Sequence, residues 1–207
     1  VRLDTFPLPK KEKVYFVGTN NPKNLNILRE RILMNFKVLP DMGEYMHRSY
    51  FDGSDKYCKD SFLVIKYLGT RFLPKLLSFK RFVDQGAERD PFLPTHLSDK
   101  LLQSISHLLP DHLPSRLRDY RKRFEHYMIF LTSDNSIQPM KDLLDCETAK
   151  YPDYEYFVCS DSEAKDALLH RYVAGSAPAR SSIINSKTSG DILPLDVALP
   201  RNCTSWY

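Results

Sequence analysis

Glycine is scarce and scattered in this chain. Its seven glycines sit at 18, 43, 53, 69, 86, 175 and 190, and no two are closer than ten residues. That spacing excludes GxGxxG and GxxxxGK, so the stretch builds neither a dinucleotide loop nor a P-loop of the usual kind. Long apolar runs are also missing. The longest, Phe62–Ile65 and Tyr127–Leu131, fall far short of the roughly 18–20 residues a membrane-crossing helix needs. The four cysteines, Cys58, Cys146, Cys159 and Cys203, form no CxxC pair. They read as reduced cysteines of an intracellular protein rather than a metal or redox site. His107 and His112 have no partner at metal-ligand spacing, so no metal is expected. The N-terminus has neither an initiator Met nor an apolar signal core, and a chain opening on VRLDTF reads as a piece of something longer.

What is present is an ordinary globular composition, 42% hydrophobic and 27% charged over 207 residues, enough for one or two domains. EKVYFVG at 12–18 is β-branched and aromatic and reads as a strand. The helix after it, predicted from the spacing of Leu25, Leu28, Ile32 and Phe36, starts with Asn21 as N-cap and Pro22 at the first helical position. The same grammar returns late. It gives a strand at 123–133, a helix at 137–149, a strand at 154–160, and a helix at 160–175 with a Ser160–Glu163 capping box and Gly175 as C-cap. A last strand is read at 191–200. This order predicts an α+β fold: a ferredoxin-like antiparallel or mixed sheet with helices on one face.

Residues 47–123 break that pattern. They read as helical pieces interrupted by Pro, among them 98–109 with Ser98 as cap and 114–124, with 85–96 as a loop or hinge. They hold fifteen Lys or Arg against nine Asp or Glu, a net +6, while the whole chain is only +4. The economical description is a basic helical insertion between two strands.

Within it, KYLGTRFLPKLLSFKRF at 66–82 holds five Lys or Arg, no Asp or Glu, and many Leu and Phe. On a helix over 72–83 starting near Pro74, the residues Phe72, Leu73, Leu76, Leu77, Phe79 and Val83 share about 160° of arc. Lys80 falls inside that arc, where its stem could lie on apolar surface with the ammonium in water. Phe82 falls outside it, unless the helix ends first. Two readings stay open on the residues alone. One is a helix packing its apolar face on a core. The other is an interfacial helix on an anionic membrane, where each Lys or Arg adds about 1 kcal/mol. Nucleic acid is the other polyanion, and mixed aromatic and basic residues suit single strands, but nothing resembles an RNP sequence and no nucleic-acid partner is expected.

VRLDTF (1–6), GTN (18–20), GEYMHR (43–48), Lys59, Asp60 and Phe62, LGT (68–70), HLPSR (112–116), FVC (157–159), LHR (169–171) and DILPLDVALPRNCTSWY (191–207) occur in this order. Together they resemble the respiratory, membrane-binding D-lactate dehydrogenases of bacteria, which are quinone-dependent and contain FAD. The similarity runs through the whole chain and is weakest at about 71–97 and 134–155. It implies a cap domain at 1–46, 124–162 and 187–207, a membrane-binding insertion at 47–123, and a second membrane piece at 163–186. The FAD domain would lie outside this chain, which would be inactive alone. The rival reading is a non-catalytic ferredoxin-like module that binds anionic lipid or acidic partners.

The chemistry implied by the resemblance is hydride removal from C2 of D-lactate to the flavin, giving pyruvate, with electrons passed to a membrane quinone. The protein would sit peripherally on an anionic phospholipid membrane, at the cytoplasmic face of the bacterial inner membrane. Arg suits a carboxylate bidentately, so His47–Arg48 and His170–Arg171 are the substrate-facing candidates. The family's His-rich segment follows the cap, so the catalytic base itself is expected elsewhere. His126 lies in a predicted strand and reads as structural. The membrane-binding set is Lys66, Arg71, Phe72, Leu73, Lys75, Leu76, Leu77, Phe79, Lys80, Arg81, Arg118, Arg121, Lys122 and Arg123.

Overall fold

The structure, a computed structural model, describes residues 8–35, 39–90, 96–105, 108–111, 113–177 and 180–181. They fall into two compact units, one from the described residues of Val1–Arg48 and Tyr120–Ala164, the other from those of Ser49–Asp119 and Lys165–Leu199.

The first unit is built on four strands: β1 (Glu12–Thr19), β2 (Met42–His47), β3 (His126–Ser133) and β4 (Glu155–Val158). Their order is β2-β3-β1-β4 and every neighbouring pair is antiparallel. Helix α1 (Pro22–Met34) joins β1 to β2, and α7 (Ile137–Lys150) joins β3 to β4. This βαββαβ arrangement is the ferredoxin-like topology, as expected, and among the described residues the sheet is antiparallel throughout.

Central β1 is covered on both faces, which is why six of its eight residues are buried. Its alternation sends Tyr15 and Val17 to the helical side, where Leu25, Leu28 and Ile32 of α1 and Met140 and Leu144 of α7 close the core. On the other side, Phe16 stacks on Phe157 at 5.7 Å between ring centroids and meets Tyr120 edge-on at 6.2 Å. Gly18 lies under this aromatic layer, and a Cβ there would come within 2.5 Å of the Phe124 ring.

Helix starts follow local chemistry. Asn21 accepts a hydrogen bond from the Lys23 N–H with Pro22 at the first position of α1. The capping box at α8 (Asp161–Ala174) also forms: the Ser160 N–H donates to Glu163, and the Glu163 N–H donates to Ser160 Oγ. Gly175 follows α8 without a left-handed backbone, and the Ser176 N–H closes the turn onto the Val173 carbonyl.

Strand β2 was not visible in the sequence. It is a half-exposed edge segment with little apolar alternation, and pairing with β3 makes it a strand. The strand expected at 191–200 and the cap segment 187–207 lie outside the described residues, as do His107 and His112.

The second unit is helical. It holds α2 (Arg48–Tyr57) from Ser49 onward, α3 (Lys59–Leu68), α4 (Leu73–Ala87), α5 (Leu97–Ile105), most of α6 (Ser115–Arg123) and the larger part of α8. Its small core gathers Tyr57, Cys58, Phe62, Val173 and Ala177. α3 ends at Gly69, whose φ of 81° suits glycine alone. A 3₁₀ turn at Thr70–Phe72 then leads into α4.

Two expectations are corrected here. α4 runs four residues beyond 83 and carries Phe82 with it, so 85–87 are helix where a loop or hinge was expected. Ser98 is not the cap of α5, because the helix already starts at Leu97. Instead, Asp84 on α4 caps that end from a distance, accepting from the Ser98 N–H at 2.8 Å and from Ser98 Oγ at 2.9 Å.

Candidate functional site

α4 is amphipathic and packs by the middle of the expected apolar arc, where Lys80 falls, leaving the edges of that arc exposed. The residues it buries are Lys80 and Ala87. Leu77 is 51% exposed, Phe79 63% and Phe82 75%, whereas Lys80 is 8% exposed. α5 buries Ser98 and Asp99 and leaves Leu101 and Ile105 outside.

What draws Lys80 inward is a group of four ions. Its ammonium lies 2.5 Å from Asp99 and 3.9 Å from Asp60. Arg180 grips Asp60 with both terminal nitrogens, at 2.6 and 3.2 Å, and reaches Asp99 at 2.8 Å. Two cations face two anions, each side chain at most 13% exposed. Burial alone would raise the Asp99 carboxyl, but Lys80 and Arg180 overcome that and hold it below the usual carboxylate value. The expectation that the Lys80 ammonium reaches water is therefore not met, since Asp60, Asp99 and Arg180 are too remote in sequence for a helical wheel to include them. Leu73, Leu77 and Tyr172 wall an open cleft of about 830 Å³ beside these ions.

The other basic candidates divide. Arg71, Lys75 and Arg81 are exposed and make no ion pair with any described residue. Lys75 sits over the Phe72 ring at 5.1 Å. Leu73 and Leu76 are partly exposed and Phe72 is exposed. Lys66 is engaged by Asp166 at 2.6 Å, and Arg118 by Asp111 at 3.6 Å. Arg123 belongs to the sheet unit, where it pairs with Glu155 at 2.7 Å and lies over Tyr120 at 4.9 Å. Lys122 is exposed and Arg121 is half-buried.

The two His–Arg pairs fall in different units. His170 is fully buried, its ring stacked on Phe51 at 4.7 Å and its Nδ1 3.3 Å from Ser54 Oγ. That enclosure gives it a packing role and takes it away from any substrate, because a ring with no exposed atom cannot meet one. The Arg171 carbonyl accepts from Tyr50 Oη at 3.4 Å.

His47 ends β2 and stands opposite His126, the first residue of β3, with the rings 5.1 Å apart. Arg48 reaches back to Glu125 at 3.6 Å, and its N–H donates to the Glu125 carbonyl. Tyr45, two residues earlier on the same face of β2, places its hydroxyl 2.6 Å from His126 Nδ1. Partial burial and the neighbouring His47 push the His126 imidazole toward its neutral form, with Glu125 opposing them. Sequence reasoning set His126 aside as structural, since nothing local links residues 47 and 126. The signal is the strand pairing itself.

Gly18 and Gly43 each sit against an aromatic ring, Phe124 and Phe130. The dispersed glycines form no phosphate cradle among the described residues.

A family model described as "D-lactate dehydrogenase, membrane binding" matches residues 14–207. The chain is 45% identical over 207 residues to the quinone-dependent D-lactate dehydrogenase of Haemophilus influenzae, covering all of this chain and 37% of that protein. It is similar to proteins of the same description from Escherichia coli K12, at 40% identity and 36% coverage, and Corynebacterium glutamicum, at 33% and 36%. The chain thus spans little more than a third of the length of these relatives.

Proposed function

The chain belongs to the membrane-binding D-lactate dehydrogenase family, and we propose that its helical unit seats a peripheral respiratory flavoenzyme on an anionic membrane. The full-length protein, in this reading, oxidises D-lactate to pyruvate and passes the electrons to a membrane quinone, at the cytoplasmic face of the bacterial inner membrane. The sheet unit serves as the cap over the active site, and 163–186 adds a second membrane piece. FAD would be held by parts of the protein outside this chain. No described helix is long and apolar enough to cross a bilayer, so the membrane contact made by these helices is superficial.

One observation carries this reading. α4 buries Lys80 and turns Leu77, Phe79 and Phe82 outward, next to Arg71, Lys75 and Arg81. Exposed apolar rings cost nothing once they enter the headgroup boundary, and nearby cations meet lipid phosphates there. Lys80 is left out of the contacting set because Asp99 and Asp60 already neutralise it.

Vesicle sedimentation tests the reading. The full-length protein should bind vesicles containing phosphatidylglycerol at low salt and release them at high salt. The triple variant Arg71→Glu, Lys75→Glu, Arg81→Glu should bind at least about 100-fold more weakly, at about 1 kcal/mol per cation removed. Unchanged binding by that variant would sink the assignment of α4 as the membrane face.

A further inference from the structure

His47, Glu125 and His126 each offer one ligand atom, and the three atoms lie within 4.8 Å of one another. We propose that this end of the β2–β3 ladder binds a divalent transition ion of the Zn²⁺ class. The proposal concerns the sheet unit alone and does not depend on the membrane reading.

The donor set fits the ion. Two imidazole nitrogens and one carboxylate oxygen are a recurrent three-ligand set for Zn²⁺, and they leave a position open for an oxygen ligand. Bonds of about 2.0–2.2 Å put tetrahedral ligand atoms about 3.4 Å apart. The groups are exposed or half-exposed, so small side-chain rotations close the remaining gap. The backbone holds the pair, because His47 and His126 are register partners across an antiparallel ladder.

The surroundings also fit. Tyr45 Oη at 2.6 Å from His126 Nδ1 fixes the orientation of that ring, as outer partners of metal-bound histidines do. Arg48 pairs with Glu125 at 3.6 Å through one oxygen only. Its positive charge opposes a cation, and the Glu125 carboxylate offsets it.

The test uses the untagged full-length protein, stripped with a chelator and titrated with Zn²⁺ by calorimetry and with Co²⁺ by visible absorption. The double variant His47→Gln, His126→Gln should lose one equivalent of Zn²⁺, and the d–d bands of bound Co²⁺ should go with it. Glu125→Gln should weaken the site, and Tyr45→Phe should weaken it by about 10-fold as an outer partner. Thermal melting of each apo variant shows which are folded. Equal Zn²⁺ stoichiometry and affinity in the wild type and any folded variant of His47 or His126 would overturn the proposal. So would a wild type that takes up no Co²⁺ with a tetrahedral spectrum. If the double variant does not fold, the Tyr45→Phe and Glu125→Gln titrations decide, and unchanged affinity in both overturns it.

Discussion

In the sheet unit, Tyr15, Val17, Leu28 and Met140 point inward and charged groups such as Arg123 and Glu155 stay on the surface. In the helical unit, α4 points Lys80 inward and Phe79 and Phe82 outward. The helical unit has a small apolar core of its own, but where α4 meets α5 it encloses charges as well. The first unit gains its stability from apolar burial, at about 1.5–3 kcal/mol for each large side chain enclosed. In the second, the contact between α4 and α5 is set by four buried ions and a carboxylate cap. Buried ion pairs add little net stability, because desolvation consumes most of the Coulomb attraction. What they do here is enclose Lys80 at the middle of the inward arc of α4, while Leu77 and Phe79 at its edges and Phe82 beyond it stay outside.

The contrast can be broken at several points, and the largest effect is expected in the sheet unit. Phe16 is buried at the heart of the aromatic layer, and Phe16→Ala should cost about 4 kcal/mol in denaturant unfolding.

Next comes the ion group. Asp99→Ala leaves Lys80 and Arg180 sharing Asp60 and should cost about 3 kcal/mol. The paired change Lys80→Met, Asp99→Leu keeps the Arg180–Asp60 fork and should fall within about 1 kcal/mol of wild type, since replacing a buried ion pair by apolar groups is often neutral. A double variant as unstable as Asp99→Ala would mean that the ions themselves hold the unit together. The same group gives a pH signature. The folded Asp99 carboxyl sits below its unfolded value, so its contribution is complete above about pH 4, the unfolded carboxylate value. It is lost as pH falls through the lower, folded value. Acid melting should lose this component in Asp99→Asn.

Gly18→Ala is expected to cost about 1–3 kcal/mol by overpacking, because the new methyl meets the Phe124 ring. The smallest effect should be Phe79→Ser with Phe82→Ser. Both rings are exposed, so stability should move by no more than about 0.5 kcal/mol, while vesicle binding weakens. A large loss of stability there would return α4 to the role of an ordinary core helix and erase the contrast.

Much of the sheet unit was legible in order of residues. β1, α1, β3, α7 and β4, and α8 that leads from this unit into the helical one, follow from apolar spacing and from caps at Asn21 and Ser160 whose partners lie two or three residues away. β2 escaped because an edge strand with exposed residues needs little apolar alternation. Of the candidate site, the basic and greasy character of 66–82 was plain, as was its amphipathic wheel. The enclosure of the Lys80 ammonium was not, and neither was the meeting of His47 with His126.

By itself, then, the sequence determined the α+β class, the basic insertion, the family and most element boundaries, since each depends on composition or on patterns that close within about a dozen residues. The tertiary structure alone decided that the Lys80 ammonium is enclosed, what caps α5, and which side chains meet at the end of β2. Those outcomes rest on partners far along the chain, such as Asp60 and Arg180 for Lys80 and Glu125 and His126 for His47. A helical wheel counts side chains on one helix, but the free energy of burying an ion depends on the opposite charges the rest of the fold brings to it.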